Sequence, residues 1–332
     1  MSILNTPVFA RGVSAYGHAI AACMTVRYTH KQSQGYLKKE EVEQFKEDGV
    51  VCLRGVFTEW VKIISKGIDK NVWNPSKFSE RLYNNDKNSP SYFNDFYNWK
   101  TITEFNEFVW KSPAARLAKT LMDSKRVAFY HEHVFTKDPG SYRPTPWHHD
   151  QAYYPLNGQQ AIFPLMDNRY TLTMYHHQAF YLLNEQQNIS FWIPITPVYK
   201  QACLRYVKAS HKWNKWFIPR KFETNKNYDG NLNDSSEYED MVDIDANPEK
   251  YELLSWDLEP GDCIAFNMRT VHGASESVDD QGRRVLATRW LGDDMILASR
   301  PWAVSPPILP GNPKGCNGMS VFDLPEVFPV IL

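Results

Sequence analysis

The sequence predicts a mainly β protein, an antiparallel sandwich or barrel, with helices concentrated in its first third. From Val127 onward, short runs of β-branched and aromatic residues alternate with Pro, Gly, Asn and Asp, as in VAFYHEHVF, NISFWIPI and RVLATRWL. Before that point, apolar residues recur at helical spacing between charges. Short strands separated by turn signals favour this class over a doubly wound parallel sheet. Neither an internal repeat nor a Gly-rich phosphate loop is visible.

The front third contains three predicted helices and one strand. The helix of residues 37–46 (LKKEEVEQFK) has an apolar stripe between charges and ends at Gly49. The strand follows at once in the run VVCL. The other helices span residues 60–66 and 113–122, and a polar, aromatic-rich stretch over residues 71–98 separates them.

Charge and hydropathy exclude two function classes. The chain has 332 residues with 37 Lys and Arg against 38 Asp and Glu, so it lacks the basic surplus expected of a nucleic-acid or anionic-lipid binder. No run approaches the roughly eighteen apolar residues that a membrane-spanning helix needs. The aromatic fraction, 14% with eleven Trp, is high and suits both a core and a pocket wall.

Cysteine usage and the N-terminus indicate an intracellular protein. The five cysteines are odd in number and form no CxxC pair, which favours a reducing compartment. The first 39 residues contain no Asp or Glu, a bias typical of organelle transit peptides, and a flexible arm over residues 1–36 is the alternative. We therefore expect a cytoplasmic or organellar location.

The best candidate for chemistry is the run PWHHDQ from Pro146. If it is a strand, side chains two residues apart share a face, so His148 and Asp150 point together while His149 points away. Ten histidines are present, and an isolated histidine is more often a surface or hydrogen-bonded core residue than a ligand. An imidazole and a carboxylate that converge on one point make this run an exception.

A second candidate ligand lies far downstream. The segment GDCIAF from Gly261 indicates a turn into a strand, and His272 follows it beside Gly273. Two histidines and one carboxylate on a β scaffold form the facial arrangement of non-haem Fe(II) oxygenases, which leaves three coordination positions open. His148, Asp150 and His272 are therefore the predicted metal ligands and catalytic residues.

A cation for a dicarboxylate co-substrate stands eleven residues after His272. Arg283 opens a predicted strand after a hairpin turn, DDQG, and alternation places it on the same face as Arg289, while Arg284 points away. An inward guanidinium can hold a carboxylate through two parallel hydrogen bonds, which suits the C5 end of 2-oxoglutarate.

These blocks resemble the phytanoyl-CoA dioxygenase family of Fe(II)- and 2-oxoglutarate-dependent oxygenases over most of the chain. The resemblance rests on WHHDQAYYPLNG from Trp147, FWIPITPV from Phe191, CLRYVKASHKW from Cys203, PGDCIAFNMRTVHGAS from Pro260 and RRVLATRWLGDD from Arg283. It implies a double-stranded β-helix, a cupin-like jelly roll of two facing sheets with helices buttressing one side.

Carried over residue by residue, the resemblance places His148, Asp150 and His272 at the metal, Arg283 at the co-substrate and Trp192 beside it. It implies Fe(II) as cofactor, 2-oxoglutarate and O2 as co-substrates, and oxidation of an unactivated C–H with release of succinate and CO2. Asp150 fills the position that halide takes in halogenating relatives, which favours hydroxylation, desaturation or ring closure over halogenation. Hydroxylation is the expected reaction. Oxidative ring closure or desaturation in natural-product biosynthesis, as in kainoid formation, is the alternative.

Two inserts interrupt the predicted domain. One, at about residues 161–186, separates the HxD motif from the tryptophan strand and is predicted to be a substrate lid, with a surface embellishment or oligomer contact as the alternative. The other, residues 223–250, is polar and acidic and is expected to be a solvated loop. Because His148 and His272 must meet at one metal, residues 37–332 are predicted to form a single domain.

The substrate is expected to be a small, carboxylate-bearing molecule, because the first insert contains only two acidic residues among many aromatic ones. The candidate substrate residues in this insert are Arg169, His176 and His177, and Tyr153 lies just after the HxD motif.

Two other function classes stay open. A zinc hydrolase or lyase can use the same ligands, although neither enzyme needs an arginine such as Arg283 placed for a dicarboxylate. A non-catalytic, metal-binding jelly-roll protein is the second. Oxygen uptake coupled to succinate formation distinguishes all three.

Overall fold

The structure, a computed structural model, describes residues 37–158, 186–230, 237–275, 281–307 and 316–332. The N-terminal arm of residues 1–36 lies outside these ranges, as does all but the last residue of the insert at 161–186. The transit peptide and the substrate lid therefore stay predictions.

The helices lie in the front third of the chain, as predicted. The first is held at both ends, because the Glu41 side chain accepts a hydrogen bond of 2.6 Å from the Lys38 backbone N–H and Gly49 ends the helix with φ 76°. A Cβ at Gly49 would lie 2.2 Å from Nδ1 of His211, so only glycine fits there. The described α-helices are α1 (Lys39–Asp48), α2 (Val61–Trp73), α3 (Thr103–Lys111) and α4 (Ala114–Met122).

The described strands are short and begin with one that follows α1 directly. They are β1 (Val50–Leu53), β2 (Glu80–Tyr83), β3 (Ser91–Phe96), β4 (Ala128–Lys137), β5 (Thr145–His148), β6 (Leu156–Gly158), β7 (Asn188–Pro194), β8 (Arg205–Val207), β9 (Trp216–Phe217), β10 (Tyr238–Glu239), β11 (Leu253–Leu254), β12 (Cys263–Phe266), β13 (His272–Ala274), β14 (Arg283–Leu291) and β15 (Met295–Leu297).

Two antiparallel sheets form the jelly roll. The larger sheet has the order β1-β12-β7-β14-β4-β3-β2, and the smaller has the order β11-β8-β13-β5. A shared apolar cluster joins them, in which Trp192 and Val285 of the larger sheet pack with Tyr206 and Ala274 of the smaller one. The predicted fold class, mainly β with buttressing helices, is confirmed.

The helices pack on the other face of the larger sheet. Phe108 of α3 lies 5.3 Å from Phe57, ring centroid to ring centroid, and Phe57 lies 6.0 Å from Phe191 of β7. Leu117 of α4 is buried in the same cluster. One face of the larger sheet thus carries the main apolar core, and the opposite face is free to carry polar side chains.

The polar segment 223–250, described except for residues 231–236, is more than a solvated loop. Met241 and Ile244 are buried, and they belong to a cluster with Trp147. Asp245 accepts hydrogen bonds from the Trp147 indole N–H (2.8 Å) and from Nη2 of Arg205 (2.9 Å). This segment therefore covers the outer side of the strand that carries the HxD motif. Among the described residues, no helix is both long and apolar enough to cross a membrane.

A buried carboxyl in β4 is predicted to make stability depend on pH. Burial raises the pKa of Glu132 from 4.5 to about 8, although the backbone N–H groups of Asn98 and Trp99 donate hydrogen bonds to it. Between roughly pH 5 and 8 the folded protein holds a proton that the unfolded chain releases. The free energy of unfolding should therefore fall as pH rises, by at most about 1.4 kcal/mol per pH unit from this group.

Glu132→Gln, which cannot ionise, should remove this part of the slope. Urea unfolding of both proteins between pH 5.5 and 8 measures the difference, with the exposed Glu43→Gln as control. Parallel slopes for wild type and Glu132→Gln would contradict the assignment.

Candidate metal centre

Strand pairing brings the two predicted histidine ligands together. In the register of β13 with β5, His272 lies directly opposite His148, and directly opposed residues of an antiparallel pair project from the same face. β5 ends at His148, so Asp150 does not continue the strand as expected but begins a 3-10 turn, Asp150–Tyr153. The turn still directs the carboxylate towards the two imidazoles.

The three side chains form a compact, buried donor set. Oδ1 of Asp150 lies 3.6 Å from Nε2 of His148 and 3.7 Å from Nε2 of His272. One donor atom from each residue lies within 4.8 Å of the others. Donors about 2.1 Å from a common ion in a facial arrangement are about 3 Å apart, so a small inward adjustment would close the site on a metal.

Hydrogen bonds select the nitrogen that each histidine offers. Nδ1 of His148 lies 2.7 Å from the Pro146 carbonyl, and Nδ1 of His272 lies 2.9 Å from the Thr270 carbonyl. A carbonyl only accepts, so each Nδ1 carries the hydrogen and each Nε2 lone pair is left for a metal. Burial and the neighbouring His148 lower the pKa of His272 to about 3, which keeps this imidazole neutral.

The two oxygens of the Asp150 carboxylate have different partners. Oδ1 faces the histidines, whereas Oδ2 accepts hydrogen bonds from Oγ of Ser190 (2.9 Å) and Nη2 of Arg289 (3.2 Å). Burial alone would raise the pKa of the Asp150 carboxyl, but the Arg289 charge and the two histidines hold it well below its usual range. From the sequence, Ser190 had no predicted role, and Arg289 was predicted only to share a strand face with Arg283.

His149 lies outside this donor set, as alternation predicts. Its Nε2 accepts a hydrogen bond from the Phe217 backbone N–H at 3.2 Å, and its ring packs on Trp216. Of these adjacent histidines, His148 therefore belongs to the donor set, whereas His149 packs against neighbouring residues outside it.

Arg283 and Trp192 lie together at the wall of the cavity that contains the donor set. Both are buried, and the Arg283 guanidinium carbon lies 5.4 Å from the centroid of the Trp192 ring. Nη1 of Arg283 donates to the Ala202 carbonyl at 2.6 Å. The neighbouring Arg284 points to the helical side, where it pairs with Asp69, so the two arginines face opposite ways as predicted.

The cavity has a volume of about 530 Å³, and aromatic rings line much of it. Tyr153 contributes its ring, which lies 5.6 Å from that of His148, while its hydroxyl hydrogen-bonds to the backbone of Arg220. The other candidate substrate residues, Arg169, His176 and His177, lie outside the described residues.

Two further features line the cavity wall. His131 and His133 of β4 both line the cavity, consistent with period two, and Nε2 of His133 lies 3.2 Å from Oδ1 of Asn94. Phe222 had no predicted role, since it directly precedes the polar segment 223–250, yet its ring lies 5.0 Å from that of His148. The only sequence signal for Phe222 is an aromatic residue among charged ones.

Comparison with known proteins identifies the family. The model of the phytanoyl-CoA dioxygenase (PhyH) family matches residues 45–285, which include all three donors and Arg283. The chain belongs to the phytanoyl-CoA dioxygenase family. The predicted class, a 2-oxoglutarate-dependent non-haem iron oxygenase, is thereby confirmed. No curated protein matches the sequence.

Solved structures share the fold of this family member at low identity. The non-heme alpha ketoglutarate dependent carbocyclase SnoK from nogalamycin biosynthesis has a TM-score of 0.60 and 19% identity, over 89% of this chain and 97% of its own. For the epimerase SnoN from nogalamycin biosynthesis these values are 0.58, 15%, 88% and 97%. EctD from S. alaskensis, solved with 2-oxoglutarate and 5-hydroxyectoine, gives 0.57, 12%, 88% and 91%.

Removal of any one donor should abolish tight metal binding. His148→Ala, Asp150→Ala and His272→Ala each leave two of the three ligands, whereas His149→Ala keeps all three and is the matched control. Titration of the apo proteins with Co(II), a stable substitute for Fe(II), measures the effect by calorimetry. If His149→Ala lost binding and His148→Ala kept it, the assignment of ligands would be wrong.

Proposed function

We propose that this protein is an Fe(II)- and 2-oxoglutarate-dependent dioxygenase that oxidises an unactivated C–H of a small molecule, with hydroxylation as the expected reaction. The observation that carries the proposal is the donor set of two imidazoles and one carboxylate. These groups suit a divalent iron ion and leave half of its coordination positions for other ligands. His148, Asp150 and His272 would hold the ion, which supplies the activation of dioxygen when bound.

The chain's own residues bind and orient the co-substrate. Arg283 would hold the distal carboxylate of 2-oxoglutarate, because a buried guanidinium is a planar, permanently charged donor for such a group. Trp192 packs against this guanidinium and limits the directions in which it can point. Both side chains are buried, and the lower dielectric constant of a buried position strengthens each charge-assisted hydrogen bond.

The charge of the inner cavity supports a carboxylate-bearing substrate. Of the described charged side chains that line the cavity, three are buried: Asp150, Arg283 and Arg289, one anion and two cations. Burial and Arg289 hold the pKa values of His131 and His133 well below their ordinary range, so these rings add no charge. A divalent ion and the two carboxylates of 2-oxoglutarate cancel each other. One positive charge then stays uncompensated, which an anionic substrate group would neutralise.

Ring closure or desaturation in natural-product biosynthesis is the second candidate. The neighbours with the same fold include a carbocyclase, an epimerase and a protein solved with 5-hydroxyectoine, so the fold is compatible with several outcomes. The aromatic cavity wall favours this candidate, because it can hold a flexible chain in one folded shape. Product analysis separates the outcomes, since hydroxylation adds one oxygen atom to the substrate, while ring closure and desaturation remove two hydrogens.

With Fe(II) and 2-oxoglutarate, the protein should consume O2 and release succinate in equal amounts. Asp150→Ala should show neither. Respirometry combined with succinate quantification measures the coupling in the presence of candidate carboxylate substrates. Hydrolysis without O2 uptake would support the zinc hydrolase, and metal binding with no turnover would support the non-catalytic protein.

Arg283→Gln should weaken 2-oxoglutarate binding while leaving metal binding intact. Loss of one partner of a buried charge pair costs at least about 2 kcal/mol, which corresponds to about 30-fold in Kd. Calorimetric titration of the Co(II) form with 2-oxoglutarate measures it. Arg284→Gln is the matched control, since it removes an arginine from the same strand that faces away from the cavity. Equal affinities for wild type and Arg283→Gln would refute the role of Arg283.

A further inference from the structure

The outer oxygen of Asp150 is held by the larger sheet, while its inner oxygen faces the donor set. Oδ2 accepts hydrogen bonds from Ser190 of β7 and Arg289 of β14, at 2.9 and 3.2 Å. In the register of these strands Arg289 lies directly opposite Ser190, so both donors project from one face at one level of the sheet. Two neighbouring strands thus converge on one oxygen atom.

Burial of the Arg289 guanidinium at this contact costs folding free energy. Its side chain is buried, and its Nε and Nη1 make no hydrogen bond to any residue that the structure describes. A buried guanidinium is expensive unless its donors are satisfied. By comparison, the buried Arg269 donates to the carbonyls of Trp213 and Lys215, and so ties backbone segments together. Nη2 of Arg289 donates instead to a carboxylate of the donor set, and the Tyr154 hydroxyl is a second polar neighbour of the guanidinium.

We propose that Arg289 is a positioning residue that, together with Ser190, makes Asp150 present a single oxygen to the metal. This inference rests on the proposed function. With Oδ2 engaged by two donors, only Oδ1 is directed at the position between the imidazoles. The guanidinium restrains rotation of the carboxylate about its Cβ–Cγ bond, because its charge and its planar geometry both favour the observed orientation.

The number of oxygens that Asp150 offers decides how many positions stay available. Three protein donors would leave three positions on an octahedral ion, as many as bidentate 2-oxoglutarate and dioxygen together would require. A carboxylate that turned and bound through both oxygens would occupy one of the three. Arg289 therefore acts on co-substrate binding through Asp150, although it is not itself a ligand.

The test compares Arg289→Gln with wild type in the full chain, loaded with Co(II) as the probe. We expect Co(II) affinity to fall about 10- to 100-fold, the usual range for loss of a group that orients a ligand. The visible absorption spectrum of bound Co(II), which reports its coordination number and geometry, should change as well. Arg284→Gln, on the same strand but facing Asp69, should leave both measurements at wild-type values.

Two further variants keep the test decisive if Arg289→Gln does not fold. Arg289→Lys keeps the charge but not the planar geometry and should give an intermediate Co(II) affinity. Ser190→Ala removes the other donor to Oδ2 and should cause a smaller loss than Arg289→Gln or Arg289→Lys. In each folded variant, 2-oxoglutarate affinity of the Co(II) form should fall with the spectral change.

The outcomes separate this inference from the proposed function. If wild type bound no Co(II) at the donor set, the proposed function would fail, and the role of Arg289 with it. Suppose instead that wild type binds Co(II) and 2-oxoglutarate, while the Arg289 variants keep the same affinity and spectrum. The proposed function would then stand, and the positioning role would be refuted.

Discussion

The buried carboxylate of Asp150 is the constraint on which the rest of the site depends. A charge in a cavity lined by aromatic rings needs partners on every side. The smaller sheet provides two imidazoles at one oxygen, and the larger sheet provides a hydroxyl and a guanidinium at the other. Asp150 thereby ties the two sheets together at the level of the donor set, so the fold and the chemistry are stabilised by the same contacts.

The arginine side chains of β14 are divided between its two faces, one facing the cavity and the other the helical layer. Arg283 and Arg289 project into the cavity, whereas Arg284 pairs with Asp69 of α2 on the other side. Period two makes this separation automatic once the register with β7 and β4 is set. A shift of one residue would exchange the two faces, which would remove both inward cations and bury Arg284 in their place.

Much of the site could be predicted because its residues are close in sequence or chemically distinctive. His148 and Asp150 are two residues apart, and His272 and Arg283 follow turn signals. The supporting contacts could not be predicted, since they depend on strand register: Ser190 and Arg289 lie 40 and 139 positions from Asp150. The expectation of a solvated loop at the polar segment 223–250 was wrong for a related reason, because Met241 and Ile244 are too few to outweigh its charged composition.

The left-handed glycine at the end of α1 connects a distant part of the chain to the metal site. The Gly49 carbonyl accepts a hydrogen bond from Oγ1 of Thr270 at 2.7 Å, and the Thr270 carbonyl in turn accepts from Nδ1 of His272. A Cβ at position 49 would collide with both His211 and Thr270. A substitution there would therefore act on the tilt of one imidazole as well as on the helix end. Position 49 is thus part of the long-range support of metal coordination, although no ligand motif includes it.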